Sequence, residues 1–175
     1  MTGAKGSALA AVVLAVGLTG VLTACGPPSG GAMGVTVDSL GRPIGVLEVC
    51  EGHIDGATLY ETPTSESDSS DRYRGEWSVA PAVSSSGRFD LRRGGGDWRA
   101  KTPLAALRPG TSYTLYGWTN DNSWSLGGVE FSPEDLATLQ PGQVRYDAGL
   151  HADEDNPPDT TATMPIADFR SKVCP

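Results

Sequence analysis

From Val35 onward the apolar residues come in short runs, each cut off by glycine, proline or small polar residues before a long helix could form. Val35–Asp38 and Ile44–Cys50 flank a turn at Leu40–Pro43. The second run (IGVLEVC) is apolar on both faces, which places it centrally in a sheet. Ala57–Glu61 follows. Tyr73, Trp77 and Val79 alternate with Arg72, Arg74, Glu76 and Ser78, and Phe89 and Leu91 alternate with Arg88, Asp90 and Arg92. Both patterns are those of half-buried strands. Residues 93–97 (RGGGD) form a turn leading to Trp98–Lys101, and the rings of Trp77 and Trp98 are expected to point inward. Tyr113–Thr119, Leu126–Phe131 and Gln143–Asp147 complete the strands. With 23 Gly and 13 Pro in 175 residues, many turns are available and a helical bundle is not. One short helix is expected at Ser132–Leu139, where Ser132 caps, Pro133 takes the first position and Asp135 the acidic place of a capping box.

The fold begins after a leader. Lys5 precedes an apolar run at residues 8–22, too short and too glycine-interrupted for a spanning helix but ordered as a secretory signal is. Leu22-Thr23-Ala24-Cys25 follows it directly and resembles the lipobox of bacterial lipoproteins. The resemblance implies a signal peptide at 1–24, lipid on the Cys25 thiol, and attachment to the outer face of a bacterial cell membrane. Residues 25–33 are then the lipidated cysteine and a flexible tether (GPPSGGAM), with a single domain at 34–175. Lipid would consume Cys25 and leave Cys50 and Cys174, an even pair that in an exported chain is expected to form a disulfide. Closing so long a loop stabilises by roughly 5 kcal/mol in the chain-entropy model.

Leu107, Pro109, Thr111 and Tyr113 resemble the L-x-P-x-T-x-Y stretch of fibronectin type III domains, where the tyrosine hydroxyl bonds back to the preceding loop in a tyrosine corner. The resemblance implies a fibronectin III-like or Ig-like sandwich. The expected fold is thus all-β: an antiparallel β-sandwich with one short helix and long loops.

The chemistry is sparse. The formal charge of −8, or −9 once Lys5 is removed, makes nucleic acid a poor partner. His53 and His151 have no GxSxG elbow to serve, since Asp38-Ser39-Leu40-Gly41 lacks the first glycine, and His53 reads as a turn residue. No zinc set is spaced for metal. The acidic stretch at 151–159 reads as a solvated loop, as does Thr64–Asp71. Arg88, Arg92, Arg93 and Arg99 read as solvent-face residues beside Asp90 and Asp97. The most suggestive segment is Trp118-Thr119-Asn120-Asp121-Asn122-Ser123-Trp124: indole faces with amide and carboxylate neighbours suit sugar stacking and hydrogen bonding. Trp118, Asn120, Asp121, Asn122 and Trp124 are therefore the candidate ligand residues, against the plainer account of a cross-strand aromatic pair. No cofactor and no catalytic residue is expected. The reading is a non-enzymatic binding or interaction module at the cell envelope, held by lipid on Cys25 and meeting a polysaccharide or protein. An envelope hydrolase is the alternative.

Overall fold

The computed structural model describes residues 26–63, 73–151 and 160–174, so the expectations for the leader, for Cys25, for Thr64–Asp71 and for most of the acidic loop lie outside the described residues. The strands are β1 (Ser29–Val37), β2 (Pro43–Val49), β3 (Ile54–Glu61), β4 (Tyr73–Val83), β5 (Ser86–Asp90), β6 (Gly94–Gly95), β7 (Trp98–Thr102), β8 (Tyr113–Trp118), β9 (Ser125–Phe131), β10 (Gln143–Asp147) and β11 (Thr161–Pro165). Two helices, α1 (Pro133–Thr138) and α2 (Ile166–Val173), and a 3-10 turn at Ala148–His151 complete the chain.

These strands do not form a sandwich. They pair in the order β1-β2-β5-β6-β7-β4-β3-β8-β9, and β9 then pairs in parallel with β1, closing a nine-stranded barrel. The reason lies in the segment read as a tether. Residues 29–33 are the first half of β1, which pairs with β2 from Gly31↔Val49 to Val37↔Pro43. Its free edge is divided between two partners: Ser29 and Ala32 meet Ser125 and Gly127 of β9, while Gly34 and Val35 meet Tyr146 and Arg145 of β10. Glycine is needed there for close approach. Gly31 has φ 151°, and a Cβ on it would lie 2.1 Å from the Glu48 carbonyl oxygen. At Gly34 a Cβ would lie 2.5 Å from a Val144 methyl. Closure leaves one interior instead of two facing sheets, and leaves no open edge within the ring.

That interior is filled. Trp77 and Trp98 point inward as their alternation predicts, with the Phe89 ring stacked on Trp98 at 4.2 Å and tilted against Trp77 at 5.3 Å. Met33, Leu47 and Leu115 pack around them. An apolar interior beneath charged outward residues is the reverse of the pattern that a lipid-embedded barrel requires. The two-faced apolarity of β2 is explained by a second, outer core. Leu47 and Val49 face the lumen, while Val46 packs outside with Ala32, Val144, Tyr146 and the α2 residues Phe169 and Val173. The sequence reading contains no α2. Eight residues long and entered from Pro165 without a side-chain cap, it offers few of the signals that mark a helix. Arg170 donates to Glu48 at 3.1 Å, and a disulfide joins Cys50 to Cys174 with Cα atoms 5.3 Å apart, so α2 is stapled to β2 by both charge and covalent bond.

The barrel has a lower end, where β1, β3 and β9 begin, and an upper end, where β2, β4 and β8 begin. At the upper end α1 forms as expected, with Ser132 and Asp135 in a reciprocal capping box. The tyrosine corner is present too: the buried Tyr113 accepts a hydrogen bond at its hydroxyl from the Arg108 N–H at 2.8 Å. Beside it, the buried Glu61 carboxylate accepts from both Arg74 and Arg108. Burial pushes the Glu61 carboxyl up, but the hydrogen bonds and charges of the two guanidiniums outweigh it and hold the carboxyl below its ordinary value. A carboxyl depressed in the folded state stabilises fully above its unfolded pKa, and that contribution is lost as pH falls through the lower folded value. The difference in melting temperature between wild type and Glu61→Gln should therefore be several degrees and flat at neutral pH, and should shrink only below the ordinary carboxylate range.

Candidate ligand-binding groove

The turn between β8 and β9 is at the lower end, and its polar groups are largely engaged with one another. Buried Thr119 accepts at Oγ1 from the Trp124 N–H at 3.0 Å and donates to the Trp124 carbonyl at 3.1 Å. Asn122 adopts φ 57°, a conformation that asparagine tolerates. Asp121 accepts the Ser123 N–H at 3.1 Å, and its hydrogen bonds with Ser123 hold its carboxyl below the ordinary value. The Asn120 N–H donates to Asp55 at 2.9 Å. Asp55 in turn lies 3.5 Å from His53 Nε2, which places His53 in the turn before β3 and beside the Trp turn.

The two tryptophans have different seats. Trp118 projects outward from β8 across Gly56, where a Cβ would lie 2.3 Å from its ring. Its indole N–H donates to Thr58 Oγ1 at 2.9 Å, and Lys101 Nζ lies over the ring, 5.2 Å from its centroid. Trp124 instead covers Gly52 and Gly30, where a Cβ would meet its ring at 2.4 Å and 3.0 Å respectively.

Of the five candidate residues, Trp118 and Asn122 meet in one groove of ≈ 670 Å³ on the outer face of the barrel. Asn120, Asp121 and Trp124 belong to the same turn but not to the groove lining. Two residues that the sequence reading missed, Tyr60 and Tyr116, share the groove, their rings edge to face at 5.7 Å. Their signal was available: in Tyr113–Trp118 the inward positions are Tyr113, Leu115 and Gly117, so Tyr116 and Trp118 must share the outer face. Thr114, Glu130 and Asp147 complete the polar lining, already bonded in part to Thr62, Ser112 and the Gly149 N–H respectively, and Gly26 and Pro27 lie at one margin. The aromatic rings supply flat apolar faces, and the amide, hydroxyl and carboxylates supply donors and acceptors.

The Cys50–Cys174 bridge is also at the lower end. At the upper end a second groove of ≈ 820 Å³ is lined chiefly by small and apolar residues, among them Leu104, Leu107 and Leu136. Ser39 lies there in a turn organised by Asp38, whose Oδ1 accepts the N–H groups of Leu40 and Arg42. Among the described residues no group of three or more His, Cys, Asp or Glu could hold a metal ion, and no helix is long and apolar enough to cross a membrane. Compared with family models, curated proteins and solved structures, the chain matches none.

The seats of the two rings give them separable roles. Trp124→Ala strips the cover from Gly30 at the start of the closing strand and from Gly52 in the turn between β2 and β3, and should destabilise the barrel by about 1–3 kcal/mol, measured as a shift of the denaturation midpoint.

Proposed function

We propose that this is a lipid-anchored, extracytoplasmic binding module, without catalytic activity of its own, that holds a hydroxyl-rich ligand in the groove beside Trp118. One observation carries the reading: Tyr60, Tyr116 and Trp118 line a single concave surface with Asn122, Thr114, Glu130 and Asp147. Partly buried aromatic faces with a few convergent polar groups are the usual make-up of a small-ligand site. The ring of Trp118 is fixed before any ligand arrives, by Gly56 beneath it and by the bond from its indole N–H to Thr58. Such preorganisation lowers the entropic cost of binding. Anchoring rests on the Leu22–Cys25 motif after its apolar run. Several acyl chains on one residue would hold the domain stably, since each buried CH₂ contributes about 0.8 kcal/mol.

Anchoring is tested by Cys25→Ser, which should abolish labelling by a fatty-acid analogue and leave unprocessed precursor. Persistent labelling refutes the anchor.

The groove is tested by titrating the mature protein with envelope polysaccharides and glycan fragments. Trp118→Ala should weaken binding by roughly 1–3 kcal/mol, the scale of a stacked aromatic contact, measured well below the variant's melting temperature because the ring also covers Gly56 and bonds to Thr58. A ligand bound equally by wild type and Trp118→Ala would move the site elsewhere.

A further inference from the structure

The groove begins where the described chain enters the fold. Gly26 and Pro27 form its margin, and the entering strand is pinned there: Ser125 Oγ approaches the carbonyls of Pro27 and Pro28 at 3.3 Å each, and the Ser125 N–H donates to Pro28 at 3.0 Å. Gly26, at the margin of the groove, follows Cys25 directly in the chain. On the anchoring reading above, the groove mouth is therefore at the membrane surface.

Its chemistry narrows what can enter. Glu130 and Asp147 line the wall, and among the described residues no Lys or Arg is part of the lining. A phosphate headgroup would meet two carboxylates in the wall, against the one ammonium, Lys101, that lies over the Trp118 ring. Hydroxyl groups, by contrast, would find carboxylate and amide acceptors beside flat aromatic faces. We propose that the groove binds the uncharged, sugar-bearing headgroup of a glycolipid in the same leaflet that holds the anchor, an inference that rests on the groove and anchor proposed above. Sharing one surface converts the encounter into an almost intramolecular one, so that a weak headgroup interaction suffices. Tyrosine and tryptophan suit this depth, where one side of the ring is apolar and the other wet.

The test uses the full lipidated protein in phosphatidylcholine nanodiscs, with and without a diglucosyl diacylglycerol, followed by hydrogen exchange over β8 and β9. Glycolipid should slow exchange in both strands, and Trp118→Ala should raise the glycolipid content needed for half-protection by roughly tenfold. Replacing the glycolipid with phosphatidylglycerol should leave exchange unchanged. Equal protection by phosphatidylglycerol would overturn the headgroup chemistry. Equal protection by a free disaccharide at the same bulk concentration, with no glycolipid present, would overturn the membrane source while leaving the groove as a sugar site. No protection by either sugar form overturns the proposal, and the groove itself falls only when Trp118→Ala also leaves every glycan titration unchanged.

Discussion

Closure of the barrel depends on one strand that must touch three others. β1 pairs with β2 from Gly31 to Val37 on one side and offers its second edge to β9 below and β10 above. Side chains at the crossing would collide with the Glu48 carbonyl, Val144 and the Trp124 ring, so Gly30, Gly31 and Gly34 stand there. The lower half of that edge closes the ring, and the upper half carries β10, β11 and α2 as an outer layer. Remove the close approach and both the lumen and the outer core lose a wall. Burial of Ala32 and Met33 on opposite faces of the same strand shows the double service.

Much of the local structure was legible, because local rules need only neighbours in sequence. Alternation put Trp77 and Trp98 inside; the Ser132–Asp135 reciprocity made α1; parity joined Cys50 to Cys174. The pairing order was not legible. Period-two patterning tells which face of a strand is buried but not which strand lies beside it. The tyrosine corner illustrates the limit. Tyr113 reaches back to Arg108 as its motif implies, yet that bond requires only a buried ring where a loop enters a strand. It is as much at home in a barrel as in a sandwich. The Gly-rich start failed for a related reason: the composition that makes a free linker flexible also lets backbones approach closely, and only the partner decides between the two.

The candidate site was half legible in the same sense. Trp118 and Asn122 announced themselves by residue type, whereas Tyr60 and Tyr116 come together only because β3 pairs with β8 in a register that sets Thr58 opposite Tyr116. Cross-strand neighbours of this kind are products of topology. The turn that supplied four of the five candidates spends its backbone amides and its one carboxylate largely on its own conformation and on Asp55.

The stapling of α2 to β2 has a mechanical consequence. The Gly30 carbonyl accepts from the N–H groups of Cys50 and Glu51 at 2.7 Å and 3.0 Å, and Cys50 is bonded to Cys174. A pull applied between Gly26 and Cys174 thus has a short route through one end of the barrel: a few residues of β1, two hydrogen bonds and one covalent bridge. Ser125 of β9, bonded to Pro27 and Pro28, shares that load, and the strands on the far side of the barrel are bypassed. Tension along that line would peel the first residues of β1 and slacken the margin of the groove long before the packed lumen around Trp77 felt any force.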